Sequence, residues 1–392
     1  MSQIQEIITR SVVTILPNKE SLEKKLTDGK ITIYLGIDPT ATQIHLGHAV
    51  LLRKLRKFSE MGHRVIFLIG DFTALIGDTS DKDTERPVLT KEEIQNNFQT
   101  YKSQAEKILD FEKIEIRNNS EWLGTLTFED IIKLTQHFSV GDFVSRELIK
   151  KRMEQGKRVG LHEILYPVMQ GYDSMILEAD LQIGGSDQIF NMQAGRTLQK
   201  DIKGRESFVL TTEFLEGTDG RKMSKSWGNA IWLNDSPNDI FGKVMSLKDE
   251  LIIRYFLLAT DVEMTEIEMM QKRLEEGENP MNLKKELARR IVQELHSEEE
   301  AIKAADFFET AFQKNEIPEN IPSISGTFTG ELLASKLIEH GIIQSKSEFT
   351  RLIEQGGVSI NGEKVSDNFA TINSGKSLIR IGKHRFFEIQ SD

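Results

Sequence analysis

Continuous apolar runs alternate with helical periodicity from early in the chain. Residues 31–37, ITIYLGI, read as a β-strand that Asp38-Pro39-Thr40 ends with turn chemistry. From about Gly47 to Met61 the apolar positions Val50, Leu51, Leu55 and Phe58 recur at near-helical spacing, and Gly62 marks a stop. The run Val65-Ile66-Phe67-Leu68-Ile69 has no polar alternation, as a strand covered on both faces requires. Together these make a β-α-β unit, the seed of a parallel sheet with a right-handed crossover. Further strands are expected at Ile114-Glu115-Ile116-Arg117, Leu181-Gln182-Ile183 and Phe208-Val209-Leu210, so residues 1–235 read as one α/β domain.

From Pro237 the pattern turns helical throughout, with Pro280 at a helix start and Ser297-Glu298-Glu299-Glu300 fitting a capping box. A separate helical domain over 236–314 is the expectation. Residues 315–326, with Pro318, Pro322 and Gly326 and little periodicity, read as a linker. Residues 327–392 then form a small α+β module: two short helices near 330–339 and 346–355, a hairpin turning at Asn361-Gly362, and a second hairpin in LIRIGKHRFFEI.

A length of 392 residues suits two or three domains. The absence of cysteine excludes disulfides, thiolate nucleophiles and cysteine-ligated metals. No apolar stretch approaches the roughly 20 residues that span a bilayer, and MSQIQEIITRSVVTIL lacks the pattern of a secretory or transit peptide, so a cytoplasmic protein with no membrane partner is expected. The net charge of −11 argues against a uniformly basic, nucleic-acid-coating surface. Between Ser145 and Arg158, however, Arg146, Lys150, Lys151, Arg152, Lys157 and Arg158 face only Glu147 and Glu154. That stretch is either a solvated helix face or a local RNA contact.

Two short strings carry the chemistry. His45-Leu46-Gly47-His48 lies where a strand runs into a helix, so unpaired backbone N–H groups and the positive end of the helix dipole face any bound anion, and both histidines can donate to phosphate oxygens. Lys222-Met223-Ser224-Lys225-Ser226 sits in a glycine-flanked polar loop, where two lysines can stabilise charge on departing pyrophosphate. Either string alone is unremarkable; in order, with an α/β pattern between them, they point to ATP and adenylate chemistry. No GxGxxG is present, which argues against a nicotinamide cofactor. Tyr166, Gln170 and Asp173 stand at i, i+4 and i+7 beside an apolar stripe of Leu165, Met169, Tyr172 and Ile176, as on a pocket-lining helix or a plain amphipathic one. Pro167 belongs in the first turn if that helix is regular.

With these motifs the chain resembles the class I aminoacyl-tRNA synthetases, and more narrowly the bacterial-type tyrosyl-tRNA synthetases, through YLGIDPTATQIHLGH, LIGDTSD, YPVMQGYD, LQIGGSDQ and GRKMSKS. The resemblance covers nearly the whole chain. It implies a Rossmann-like catalytic domain, a helical anticodon-binding-type domain, a homodimer, and ATP with Mg2+ as substrate, with no tightly bound protein metal. It assigns His45, His48, Lys222 and Lys225 to catalysis. Tyr34 and Asp173 fall to the substrate phenol, Asp78, Tyr166 and Gln170 to its α-ammonium, and Gln182 and Gln188 border the tyrosine and its carboxylate. Asp187 falls to the adenosine ribose, Asp38 and Thr40 to the phosphates, Gly36 to the space the nucleotide occupies, and Gly47, Gly185, Met223 and Lys225 complete the ATP set. Where the family commonly reads GDPSG this chain has Gly77-Asp78-Thr79-Ser80-Asp81. Residues 327–392 resemble an RNA-binding module shared with a small-subunit ribosomal protein, with Lys346, Arg351, Lys364, Arg380, Lys383 and Arg385 as phosphate-contact candidates.

The expected function is therefore tyrosine–tRNA ligation, with tRNA(Tyr) as partner. Three other readings compete: a tryptophanyl-tRNA synthetase, which gives no reason for the Tyr34/Asp173 pair; a small-molecule nucleotidylyltransferase, for which the C-terminal domains are surplus; and a non-catalytic RNA-binding protein, against which both intact motifs weigh.

Overall fold

A computed structural model describes residues 2–40, 42–77, 89–223, 227–310, 323–343, 345–382 and 385–392, with Arg385 given by its backbone alone. Asp78 with the departing segment after it, Lys225, Lys383, the Arg385 side chain and residues 315–322 of the expected linker lie outside that description. The chain forms two compact units, Met1–Asn234 with Leu247–Pro280, and Asp235–Ser246 with Met281–Asp392.

The first unit is built on six strands: β1 (Val12–Leu16), β2 (Thr32–Ile37), β3 (Arg64–Ile69), β4 (Glu115–Asn118), β5 (Leu181–Gly185) and β6 (Phe208–Thr212). Their order is β1-β6-β5-β2-β3-β4, parallel except for β1, which runs antiparallel to β6 with Ile15 opposite Leu210. β5 and β6 are buried at every position, so their side chains are apolar apart from Gln182, Thr211 and Thr212. The order reverses between β2 and β5, so the crevice beyond their carboxyl ends is where an open α/β sheet receives ligands. β1 was not among the expected strands, because its pairing with β6 joins residues about two hundred positions apart.

The expected helical stretch 236–314 is divided between the units, Leu247–Pro280 joining the first. Helix Ile252–Ala259 buries Ile252, Tyr255, Phe256 and Leu258. Its carboxyl end is capped by the Arg10 guanidinium, which donates to the carbonyls of Phe256, Leu257, Thr260 and Val262 at 2.6–3.1 Å. A helix end leaves carbonyls without intrahelical partners, and a five-donor fork satisfies several at once.

In the second unit β7 (Ser323–Gly326), β8 (Val358–Ile360), β9 (Glu363–Lys364), β10 (Gly375–Ile381) and β11 (Arg385–Ser391) make a sheet in the order β7-β11-β10-β8-β9. Residues 323–326, expected as linker, are thus a strand paired parallel to β11, with Ile324 opposite Ile389. Asn361 and Gly362 both take positive φ, 49° and 86°, the two-residue turn that an Asn-Gly hairpin favours. Helices Leu333–Glu339 and Lys346–Glu354 cover this sheet through Leu333, Leu337 and Phe349.

Candidate active site

At the crevice beyond β2 and β5 lies a cavity of about 540 Å³, bounded entirely by first-unit residues. Helix Leu46–Glu60 begins at its rim, and His45 is the N-cap. Gly47 N–H donates to His45 Nδ1 at 3.1 Å and His45 N–H donates to His48 Nδ1 at 3.3 Å, the two rings stacking 3.9 Å apart. With both Nδ1 atoms accepting, each neutral ring carries its proton on Nε2, as a donor. Burial, helped by the neighbouring His48 and Lys222, pushes the His45 pKa down to about 2. His45 is therefore neutral, with its ring proton on Nε2.

Backbone pairing joins the first motif to the segment that follows the second. Leu46 N–H donates to Ile231 O and Leu233 N–H to Ile44 O, both at 2.9 Å, with His45 bridged to Trp232. This brings Lys222 and Met223 to the same cavity wall as His45, Gly47 and His48. Trp232, whose ring lies 5.6 Å from His45, escaped the sequence reading.

The cavity floor is made of buried polar side chains. Helix Leu161–Ile176 presents Tyr166, Gln170 and Asp173 to it, the pocket-lining one of the two arrangements their spacing allowed. Asp173 and Tyr34 are 3 % and 2 % exposed. Trp122 Nε1 donates to Asp173 Oδ1 at 2.7 Å and Asn119 Nδ2 to Oδ2 at 3.2 Å. Burial raises the Asp173 pKa to about 8 despite those two bonds, and holds the Tyr34 phenol well above its ordinary value. Tyr34 donates to Gln182 Oε1 at 3.1 Å, and Gln182 Nε2 is spent on Met192 O at 2.9 Å. Asn119 also donates to Thr73 Oγ1 (3.0 Å), which donates to Asp38 Oδ1 (2.7 Å), whose other oxygen accepts from Tyr166 (2.8 Å). A hydrogen-bonded chain thus runs from Asp173 to Asp38. Asn119, Trp122 and Thr73 were missed in the sequence; the one local signal is that Asn119 follows the carboxyl end of β4.

Gly36, Thr40 and Gly185 line the remaining wall with Asp187 and Gln188, which sit in the turn after β5. Gln188 donates to Asp187 Oδ2 at 3.2 Å and accepts from Asn191 Nδ2 at 3.0 Å.

Two of the RNA-contact candidates are spoken for. Arg152 is only 2 % exposed and pairs with the equally buried Glu163, Nη1 to Oε2 at 2.6 Å and Nη2 to Oε1 at 3.1 Å. Half-buried Arg146 stacks over Phe190 and donates to Phe143 O and Glu163 O. Both therefore hold the pocket helix. Pro167 is the seventh residue of that helix rather than in its first turn; the carbonyl it leaves without an amide donor, at Glu163, is the one Arg146 reaches at 3.3 Å. Lys150, Lys151, Lys346 and Arg351 are exposed. Among the described residues no cluster of His, Cys, Asp or Glu suits a metal ion, and no helix is long and apolar enough to cross a membrane.

Residues 26–313 match the family described as tRNA synthetases class I (W and Y), and residues 313–389 match a tyrosine–tRNA ligase C-terminal domain. The tyrosine–tRNA ligase of Thermotoga maritima is 43% identical over 387 residues, spanning 98% of this chain and 96% of its own, and that of Carboxydothermus hydrogenoformans is 44% identical over 399 residues, spanning 98% and 97%. Among solved structures, a C-terminally truncated Aspergillus nidulans mitochondrial tyrosyl-tRNA synthetase aligns with a TM-score of 0.68 at 22% identity, over 79% of this chain and 94% of that one. The Archaeoglobus fulgidus tyrosyl-tRNA synthetase complexed with L-tyrosine aligns at 0.62 and 24%, over 78% and 100%; both likenesses concern the fold. The crevice at the sheet's switch point, its two paired motifs and the full-length match lead to one conclusion: the chain belongs to the class I tRNA synthetases of the tryptophan and tyrosine family.

Proposed function

We infer that this enzyme is a tyrosine–tRNA ligase. The observation that carries the choice is the buried Tyr34/Asp173 pair on the floor of the cavity whose rim holds His45, His48 and Lys222. Tyrosine lies with its phenol between Tyr34 and Asp173 and its α-ammonium toward Tyr166, Gln170 and Asp78. Phenylalanine would leave the buried polar groups unmatched, and an indole has no hydroxyl for them.

The tyrosine carboxylate attacks the α-phosphate of ATP, forming the mixed anhydride and expelling pyrophosphate. The terminal adenosine hydroxyl of tRNA(Tyr) then takes the tyrosyl group and AMP leaves. No protein nucleophile takes part; alignment and charge stabilisation do the work. The neutral Nε2–H groups of His45 and His48 donate to the α-phosphate as charge builds, and Lys222 and Lys225 stabilise pyrophosphate. Asp187 holds the ribose, Asp38 and Thr40 flank the phosphates, Gln182 and Gln188 border the amino acid, and Gly36, Gly47, Gly185 and Met223 complete the nucleotide contacts. Magnesium enters as part of the ATP substrate.

The assembly is a cytoplasmic homodimer. Phe128, Val140 and Leu161, at 78, 74 and 73 % exposure, are apolar side chains that burial against a second copy would take out of water. Residues 236–314 contribute to anticodon binding and 327–392 to further RNA contacts, with Lys346, Arg351, Lys364 and Arg380 exposed for phosphates; Lys150 and Lys151 are exposed likewise in the first unit.

The test is amino-acid-dependent exchange of labelled pyrophosphate into ATP without tRNA. Exchange with tyrosine alone is expected. Exchange with tryptophan would overturn the pocket assignment, and none with tyrosine, tryptophan or phenylalanine would overturn the enzymatic reading.

A further inference from the structure

Lys222 leaves the backbone at the end of a tight turn, and one side chain beyond the signature string holds that turn. Glu216 and Lys222 pair across its base, Gly217 N–H donates to Arg221 O at 2.7 Å, and Gly220, with φ +82°, closes it by donating to Gly217 O. Asn229 is 3 % exposed beneath the turn. Its Nδ2 donates to Asp219 Oδ1 at 2.8 Å and to Lys222 O at 3.2 Å, and its backbone carbonyl accepts from Thr218 N–H at 3.0 Å. A Cβ at Gly217 would clash with the Asn229 carboxamide, so only glycine lets that amide reach under the turn.

Arg221 reinforces the arrangement from outside. Its Nε donates to Asp219 Oδ2 at 2.7 Å, its own N–H to Oδ1 at 3.0 Å, and its guanidinium stacks 4.6 Å over the Trp227 ring. Bonds from Asn229 and Arg221 hold the Asp219 carboxyl well below the usual carboxylate range, so it stays an acceptor throughout the working pH range. Asn229 itself lies outside the cavity wall, whereas Lys222 is part of it.

We propose that Asn229 is a positioning residue for adenylation, its carboxamide bridging Asp219 and the Lys222 carbonyl so that the Lys222 ammonium enters the cavity at the phosphate end. The inference rests on the proposed role of Lys222 at pyrophosphate. A stray placement of the lysine backbone displaces the charge from where it is needed, and preorganisation at this stage of the reaction is worth orders of magnitude in rate. Because Asn229 is not part of the cavity lining, its loss slows the chemical step and leaves tyrosine binding alone.

The experiment measures single-turnover tyrosyl-adenylate formation and the tyrosine dissociation constant, by equilibrium dialysis, for wild type, Asn229→Ala, Lys222→Ala and the double variant, all as full-length protein. Asn229→Ala is expected to slow adenylate formation about 10- to 100-fold with tyrosine affinity within about twofold. On the Lys222→Ala background the same substitution is expected to cost less than about threefold, because the group it positions is gone. Equal costs on both backgrounds, or weakened tyrosine binding, overturn the inference alone. An unimpaired Lys222→Ala overturns the reading beneath it and the inference with it. Should Asn229→Ala not fold, Asn229→Ser, smaller but still polar, carries the same cycle.

Discussion

Replacing Arg152 with methionine separates two accounts of the basic segment between Ser145 and Arg158. The guanidinium makes two contacts to Glu163 and a third, at 2.7 Å, to Arg158 O, with both ionic side chains 2 % exposed or less. Its removal strands a carboxylate in the protein interior with Gly160 N–H still donating to it at 2.8 Å. Breaking one half of a buried pair costs about 3–5 kcal/mol. For a unit of this size that lowers the melting temperature by roughly 6–20 °C. Removing both partners, Arg152→Met with Glu163→Leu, takes away the stranded charge and leaves only the Gly160 amide unsatisfied, a smaller cost of about 1–3 kcal/mol, so the double variant should melt above Arg152→Met. Scanning calorimetry with and without tyrosine identifies the relevant transition as the one the ligand raises. Tyrosine affinity should fall as well, because Glu163 lies in the first turn of the helix that carries Tyr166, Gln170 and Asp173. If Arg152→Met melts within a degree or two of wild type and loses tRNA affinity instead, the guanidinium faces RNA and the burial argument is refuted.

Trp122→Phe removes the 2.7 Å bond to Asp173; the KM for tyrosine in pyrophosphate exchange should rise roughly tenfold, about the worth of one hydrogen bond to such a group, and the preference for tyrosine over phenylalanine should shrink with it. An unchanged preference would mean that Trp122 does not orient the carboxyl. Asp173 itself predicts a pH effect: its folded pKa of about 8 lies above the ordinary value of 3.8, so the stability it contributes is fully present below pH 3.8 and is lost as pH rises through 8. Asp173→Asn has no such titration, and between pH 5 and 8 its stability relative to wild type should climb by up to about 4 kcal/mol, read from denaturation at each pH; a flat difference would show that the carboxyl is ionised in the fold. His45, neutral above about pH 2, should add no inflection to the pH profile of tyrosine activation between pH 5 and 8. An inflection there that His45→Asn abolishes would contradict the neutral-donor role.

Much of this protein could be read locally. The β2-helix-β3 unit, the HLGH string at its helix entry and the i, i+4, i+7 stripe of Tyr166, Gln170 and Asp173 all follow from periodicity and turn chemistry between near neighbours, which the chain carries within a dozen residues. The Asn361-Gly362 hairpin is legible for the same reason. What escaped depends on partners distant in sequence. β1 exists as a strand because β6 offers it an edge. Asn119, Trp122 and Thr73 matter because the sheet brings β4, the turn after β3 and the pocket helix within hydrogen-bond reach of one buried carboxyl. Arg152 and Arg146 read as surface charge by composition, yet they turn inward to Glu163, since a carboxylate and a proline-freed carbonyl there leave acceptors that only a forked donor satisfies. Local sequence determined which elements form and where their chemistry is displayed; the tertiary structure decided which polar groups lose water and must therefore find one another, because desolvation depends on what packs above a residue and not on what precedes it in the chain.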